Sequence, residues 1–230
     1  MSSDSHDQLK CLSVDWNNKG IAFFAEQRYR AAATCFHTAL HVCRSMLTAN
    51  VNSINEDNEE SFATLDEYME ESSASWGTRK SPISLSNQHS SYVHAEPIVI
   101  PASMSDCLDV GTILPSIIIF NQALSHHCMG MKNRKYLLKA VKLYHCGLNL
   151  VIDQEIFDVS KTFTLACLNN MGLGYKQLND TAASQICYQQ LMSTLMLSMH
   201  SSQGISPKLK VYFKSISHLL LQANSPAPAA

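Results

Sequence analysis

The chain is poor in charge and in glycine, and it lacks the short motifs that mark catalytic centres. Only 16% of its residues are Asp, Glu, Lys or Arg, and the formal net charge is −2. That balance leaves no basic footprint for nucleic acid, and no polybasic run suits an anionic membrane surface. The eight glycines are dispersed, so they assemble neither a phosphate-cradling loop nor a dinucleotide fingerprint, and no GxSxG occurs. None of the eight cysteines stands in a CxxC pair. The longest apolar run, 113–120, is interrupted by Pro115 and Ser116 and is far too short to span a bilayer. The opening MSSDSHDQLKCLSVDW has neither the basic start nor the apolar middle of a secretory signal. These absences lead to the expectation of a soluble cytoplasmic chain, the nucleus being left open, with reduced and mostly buried thiols.

What is present is apolar: 46% of the residues are hydrophobic, enough for a sizeable core. Apolar positions recur at three- and four-residue steps over long stretches, which predicts helices. After an expected frayed tail over 1–10, residues 11–49 read as a helical hairpin turning at Glu26–Tyr29. Residues 50–115 change composition, first to an acidic and serine-rich insertion, in which Phe62, Leu65, Tyr68 and Met69 are spaced like a short amphipathic helix. The insertion ends in YVHAEPIVIP, residues 92–101, whose β-branched run between prolines predicts an extended arm, possible as a short β-element. Residues 116–152 and 161–200 read as two further hairpins, 207–222 as an amphipathic capping helix and 223–230 as a disordered tail. The expected fold class is all-α, an irregular α-α solenoid of about three hairpins plus a cap.

In the first hairpin Trp16, Gly20, Phe23, Tyr29, Ala32, Phe36 and Ala39 occur in a fixed order. That order resembles the tetratricopeptide repeat, with its tryptophan, glycine, tyrosine, alanine and phenylalanine over about 34 residues. Lys19 stands where the family has leucine, and the terminal proline is absent. In the third hairpin Leu168, Met171, Gly172, Tyr175, Leu178, Asn179, Asp180 and Tyr188 fall at the corresponding offsets, with Ser184 and Leu191 in place of alanines. The second hairpin is the most divergent: Ala140 at the first alanine position puts Leu124, Cys128, Met131, Tyr144 and Gly147 at the other key sites, with Cys128 where glycine is usual. The repeats are therefore interrupted, and about half the chain carries the resemblance.

The resemblance implies a concave surface that receives a peptide or helix of another protein, with asparagines bonding the ligand backbone. It places Asn18 and Asn170 in that role, with Asn17, Asn169 and His126 beside or equivalent to them and Ile21, Phe24, Lys176 and Gln177 as further groove candidates. An amide suits the task because it donates and accepts at once, matching both halves of a peptide unit. A carboxylate-gripping variant of the groove would need a polar residue where Ile21 and Leu173 stand. The ligand is therefore read as an internal helix or extended segment, the chain's own arm over 92–101 included.

Two histidine groups set the alternative. His37 and His41 are four apart on one helix, a spacing that metals use, but Thr38 replaces the glutamate of a metalloprotease motif. His126, His127, Cys128, His145 and Cys146 lie on the two helices of the second hairpin. A metal-dependent or thiol enzyme built on them is the runner-up, and a structural subunit of a fixed complex is a third reading. The leading expectation is a non-enzymatic adaptor or scaffold with no cofactor, no metal, no catalytic residue, and another protein as partner.

Overall fold

The computed structural model describes residues 3–51, 96–100, 110–152 and 157–201. The acidic insertion with its amphipathic stretch, the remainder of the 92–101 arm, the capping helix and the C-terminal tail lie outside the described residues. Six α-helices make up nearly all of what is described: α1 Ser3–Ala25, α2 Tyr29–Val51, α3 Val110–Gly130, α4 Arg134–Ile152, α5 Phe157–Gln177 and α6 Thr181–Ser201. No strand occurs among the described residues. The protein is all-helical and built of hairpins, as the apolar periodicity requires.

The chain divides into two compact units, one containing α1 to α4 with residues 96–100, the other α5 and α6. In the first unit, α1 packs on α2, α2 on α3 and α3 on α4. Each element thus leans on its sequence neighbour, the manner of an α-solenoid. Among the described residues the second unit is a hairpin of α5 against α6.

Two of the three hairpin turns are the same device. After α1, Arg28 N–H donates to Phe23 O at 2.9 Å and Gln27 N–H to Phe24 O at 2.9 Å. After α5, Asp180 N–H donates to Tyr175 O at 2.9 Å and Asn179 N–H to Lys176 O at 3.0 Å. Both are Schellman closures, and their left-handed residues are Gln27 with φ 59° and Asn179 with φ 61°. Asp180 then caps α6, its Oδ1 accepting from Ala183 N–H at 3.0 Å, and Asn133 caps α4 by accepting from Lys135 N–H at 3.0 Å. A short polar side chain at that position satisfies a backbone donor the helix leaves open.

The correspondence between the first and third hairpins extends from their turns to their packing. A Cβ on Gly20 would stand 2.6 Å from the Phe36 ring, and one on Gly172 would stand 2.8 Å from the Tyr188 ring. Each aromatic residue follows its glycine by sixteen positions, so two antiparallel helices meet at the same height in both. Ala32 is wholly buried, and its counterpart Ser184 donates to Gly172 O at 2.8 Å. Serine therefore keeps the close approach and ties it with a hydrogen bond.

Three local features depart from the sequence-based expectations. First, α1 begins at Ser3 rather than Cys11, since no proline or glycine precedes Gly20 to stop it. Second, α3 begins at Val110 and runs through Pro115 instead of starting after it; proline so near a helix start removes one hydrogen bond rather than breaking an established ladder. Third, the second hairpin has a close contact at Gly130, where a Cβ would stand 2.8 Å from the Leu137 backbone, which the repeat register did not contain. The Cys128 side chain is only partly covered.

Candidate functional site

Helices α1 and α3 of the first unit present three asparagines to the segment Glu96–Ile100. Asn17 and Asn121 are wholly buried, an unusual state for a primary amide unless all its polar atoms are matched. They are matched by each other and by the segment. Ile98 N–H donates to Asn121 Oδ1 at 2.7 Å, and Asn121 Nδ2 donates back to Ile98 O at 2.9 Å. The second Asn121 Nδ2 proton goes to Asn17 Oδ1, also at 2.9 Å. Asn17 Nδ2 then donates to Asn18 Oδ1 at 3.4 Å, and Asn18 Nδ2 donates to Ile100 O at 3.3 Å.

This row works as a substitute strand edge. One amide can reach both the N–H and the C=O of Ile98 only if those two groups point the same way, as they do in extended backbone. The burial pattern has the same period: Ile100 is 4% exposed, while Val99 between the two isoleucines is 60% exposed. Alternate side chains therefore face opposite sides. The arm over 96–100 is extended as the β-branched run predicts, but it pairs with side-chain amides and not with another strand. Ile98 N–H can only donate, so Asn121 must turn its oxygen there, and the direction of every later bond in the row follows.

Of the residues singled out from sequence, Asn17 and Asn18 stand in this row. Ile21 and Phe24 follow on α1, both partly exposed, and Phe24 is turned onto Tyr29 in an edge-to-face contact with centroids 5.0 Å apart. His126 is not available to a groove: it is 2% exposed and stacks on Tyr136 at 5.9 Å. It lies on the face of α3 turned into the hairpin. Asn169 and Asn170 belong to the second unit, where both are buried and Asn169 Nδ2 donates to Asn170 Oδ1 at 3.2 Å. That bond repeats the one between Asn17 and Asn18. Lys176 and Gln177 are exposed at the end of α5.

Asn121 was missed by the repeat register, which looked for a polar residue at His126. A signal was present: IIIFNQAL sets an asparagine inside a strongly apolar helical run, where it must find partners to be buried.

The histidines and cysteines form no comparable constellation. Among the described residues no three His, Cys, Asp or Glu side chains gather as a metal site requires. Burial pushes the Cys128 thiol up to about 12 and the Cys146 thiol up to about 11, which disfavours the thiolate that a nucleophile needs. Neither ring nitrogen of His126 has a hydrogen-bond partner, and burial, helped by Lys139 and His37, pushes its pKa down to about 3.

No helix among the described residues is long and apolar enough to cross a membrane. Comparison with protein-family models, with curated proteins and with solved structures returns no match.

Proposed function

We propose that this chain is a non-catalytic protein-interaction module of the tetratricopeptide-like kind, which receives extended peptide backbone along the asparagine row of its first unit. The observation that carries the reading is the Asn121 amide, which meets the N–H and the C=O of a single residue, Ile98, at 2.7 and 2.9 Å. Contacts made to backbone do not depend on side-chain identity, so a row of this kind holds peptide as a class. The Gly20, Ala32 and Phe36 packing supports the family likeness, since close helix approach is what those small residues permit. The raised pKa of the Cys128 and Cys146 thiols counts against the alternative of a thiol enzyme on the second hairpin.

The test is affinity capture from native extract with the immobilised wild-type chain and a folded Asn18→Ala, Asn121→Ala variant. A protein held by the wild type and released by the variant supports the reading. Equal capture by both overturns it and moves attention away from the asparagine row.

A further inference from the structure

The row is already occupied, and its occupant carries information about what else can sit there. Glu96–Ile100 presents a fixed chemistry: a proline before the gripped residue, a half-buried Ile98, a solvent-facing Val99 and a buried Ile100. Pro97 has no N–H to leave unmatched and restrains the preceding residue to extended backbone, so the segment loses little conformational freedom on docking. Ile100 is almost wholly buried, Ile98 is half-buried and Val99 is exposed, which assigns discrimination chiefly to Ile100, with a smaller share for Ile98, and leaves the middle position free.

Resting on the reading of the asparagine row as a peptide site, we infer that Glu96–Ile100 is a built-in stand-in for a partner segment of the same kind. That partner is an extended peptide with proline followed by aliphatic, variable and aliphatic residues, which binds by replacing it. The occupant is attached to the chain it fills and so competes at high effective concentration. A partner in trans sees only the fraction of molecules whose row is free, and its apparent affinity falls by that fraction. Access is thereby set by how firmly the chain's own segment is held.

The experiment uses the full chain and a labelled synthetic peptide of sequence YVHAEPIVIP, corresponding to residues 92–101. A control peptide has serine in place of both isoleucines. Binding is followed by fluorescence anisotropy to the wild type, to an Ile98→Asp, Ile100→Asp variant whose own segment cannot dock, and to that variant carrying Asn121→Ala. The expected result is binding at least about tenfold tighter to the released variant than to the wild type, lost on adding Asn121→Ala and absent for the control peptide. In parallel, hydrogen exchange on the wild-type chain reads residues 96–100 directly, so the outcome does not depend on how the variants fold. Saturating peptide should raise exchange there and leave α1 and α3 protected.

Equal binding of both peptides, with displacement, would overturn the stated ligand chemistry and leave the peptide-site reading standing. Failure of the YVHAEPIVIP peptide both to displace the wild-type segment at millimolar concentration and to bind the released variant would overturn both. A wild-type dimer by light scattering, with its segment exchanged between copies, would make a second copy the occupant and overturn the proposed partner.

Discussion

Asn121 joins distant parts of the chain through one side chain. Its amide holds three partners, two of them on the backbone of Ile98; the bond to Asn17 is buried and the two to Ile98 are partly covered. Replacing it with alanine leaves those groups unmatched, at an expected loss of about 1–3 kcal/mol. Thermal denaturation of Asn121→Ala should register that loss, and the Ile98 amide should exchange like that of an unstructured peptide while the helices stay protected. His126 makes the opposite kind of statement. It is buried with both ring nitrogens unpartnered and its surroundings, Tyr136, Lys139 and His37, offer no acid to stabilise a proton. Its pKa drops from 6.5 in the free side chain to about 3, so the unfolded chain binds a proton that the fold refuses. Stability contributed by the neutral ring is present above pH 6.5 and lost as the pH falls toward 3, with a slope of up to about 1.4 kcal/mol per pH unit. His126→Phe, which keeps an aromatic ring against Tyr136, should flatten denaturant-melt stability between pH 6.5 and pH 4 relative to wild type. An unchanged slope would place the acid sensitivity elsewhere.

At the level of elements, the decisive contacts are those where two helices nearly touch. Gly20 lies under Phe36 and Gly172 under Tyr188, and Phe36 has no exposed surface through which its ring could move aside. A methyl group at position 20 has to displace that ring, an overpacking expected to remove about 1–3 kcal/mol. Gly20→Ala should therefore lower the melting temperature, and combining it with Phe36→Leu should recover part of the loss. The non-additivity of that cycle measures the contact itself. If Gly20→Ala melts with the wild type, the hairpin is looser than a close-approach packing allows. The family-like spacing of Gly20, Ala32 and Phe36 made this hairpin legible from sequence. The second hairpin was less legible because its Gly130 lies close against the Leu137 backbone, a contact outside the repeat register.

Over the whole molecule, the thiols report the fold. Cys35, Cys43, Cys167 and Cys187 are buried and Cys11 is exposed, and burial raises the pKa of each of the four buried thiols. A thiol-specific reagent at neutral pH reacts with accessible thiolate. It should modify the exposed Cys11 in the native protein, while these four react only as the chain opens. Mass spectrometry of labelled peptides through a denaturant series checks this site by site. Cys35 and Cys43 report on the first unit and Cys167 and Cys187 on the second, so separate onsets would reveal that the two units open independently. Rapid native labelling of Cys43, whose sulfur lies 3.0 Å from the Ser13 hydroxyl, would contradict the packing of α1 on α2.

The sequence by itself determined the helical class, the hairpin turns and the small residues at two of the three close approaches, because those follow from local periodicity, turn chemistry and side-chain size. It also contained the extended character of the arm, since proline and β-branched residues restrict backbone wherever they stand. Only the tertiary structure decided which amides work together. Asn17 and Asn18 were visible from their place in a repeat, but their neighbour Asn121 is more than a hundred residues away in sequence and joins them because α1 and α3 lie side by side. The segment at 96–100 completes the set. A hydrogen-bond row drawn from three distant stretches has no spacing along the chain, and only the packing of the helices gives it one.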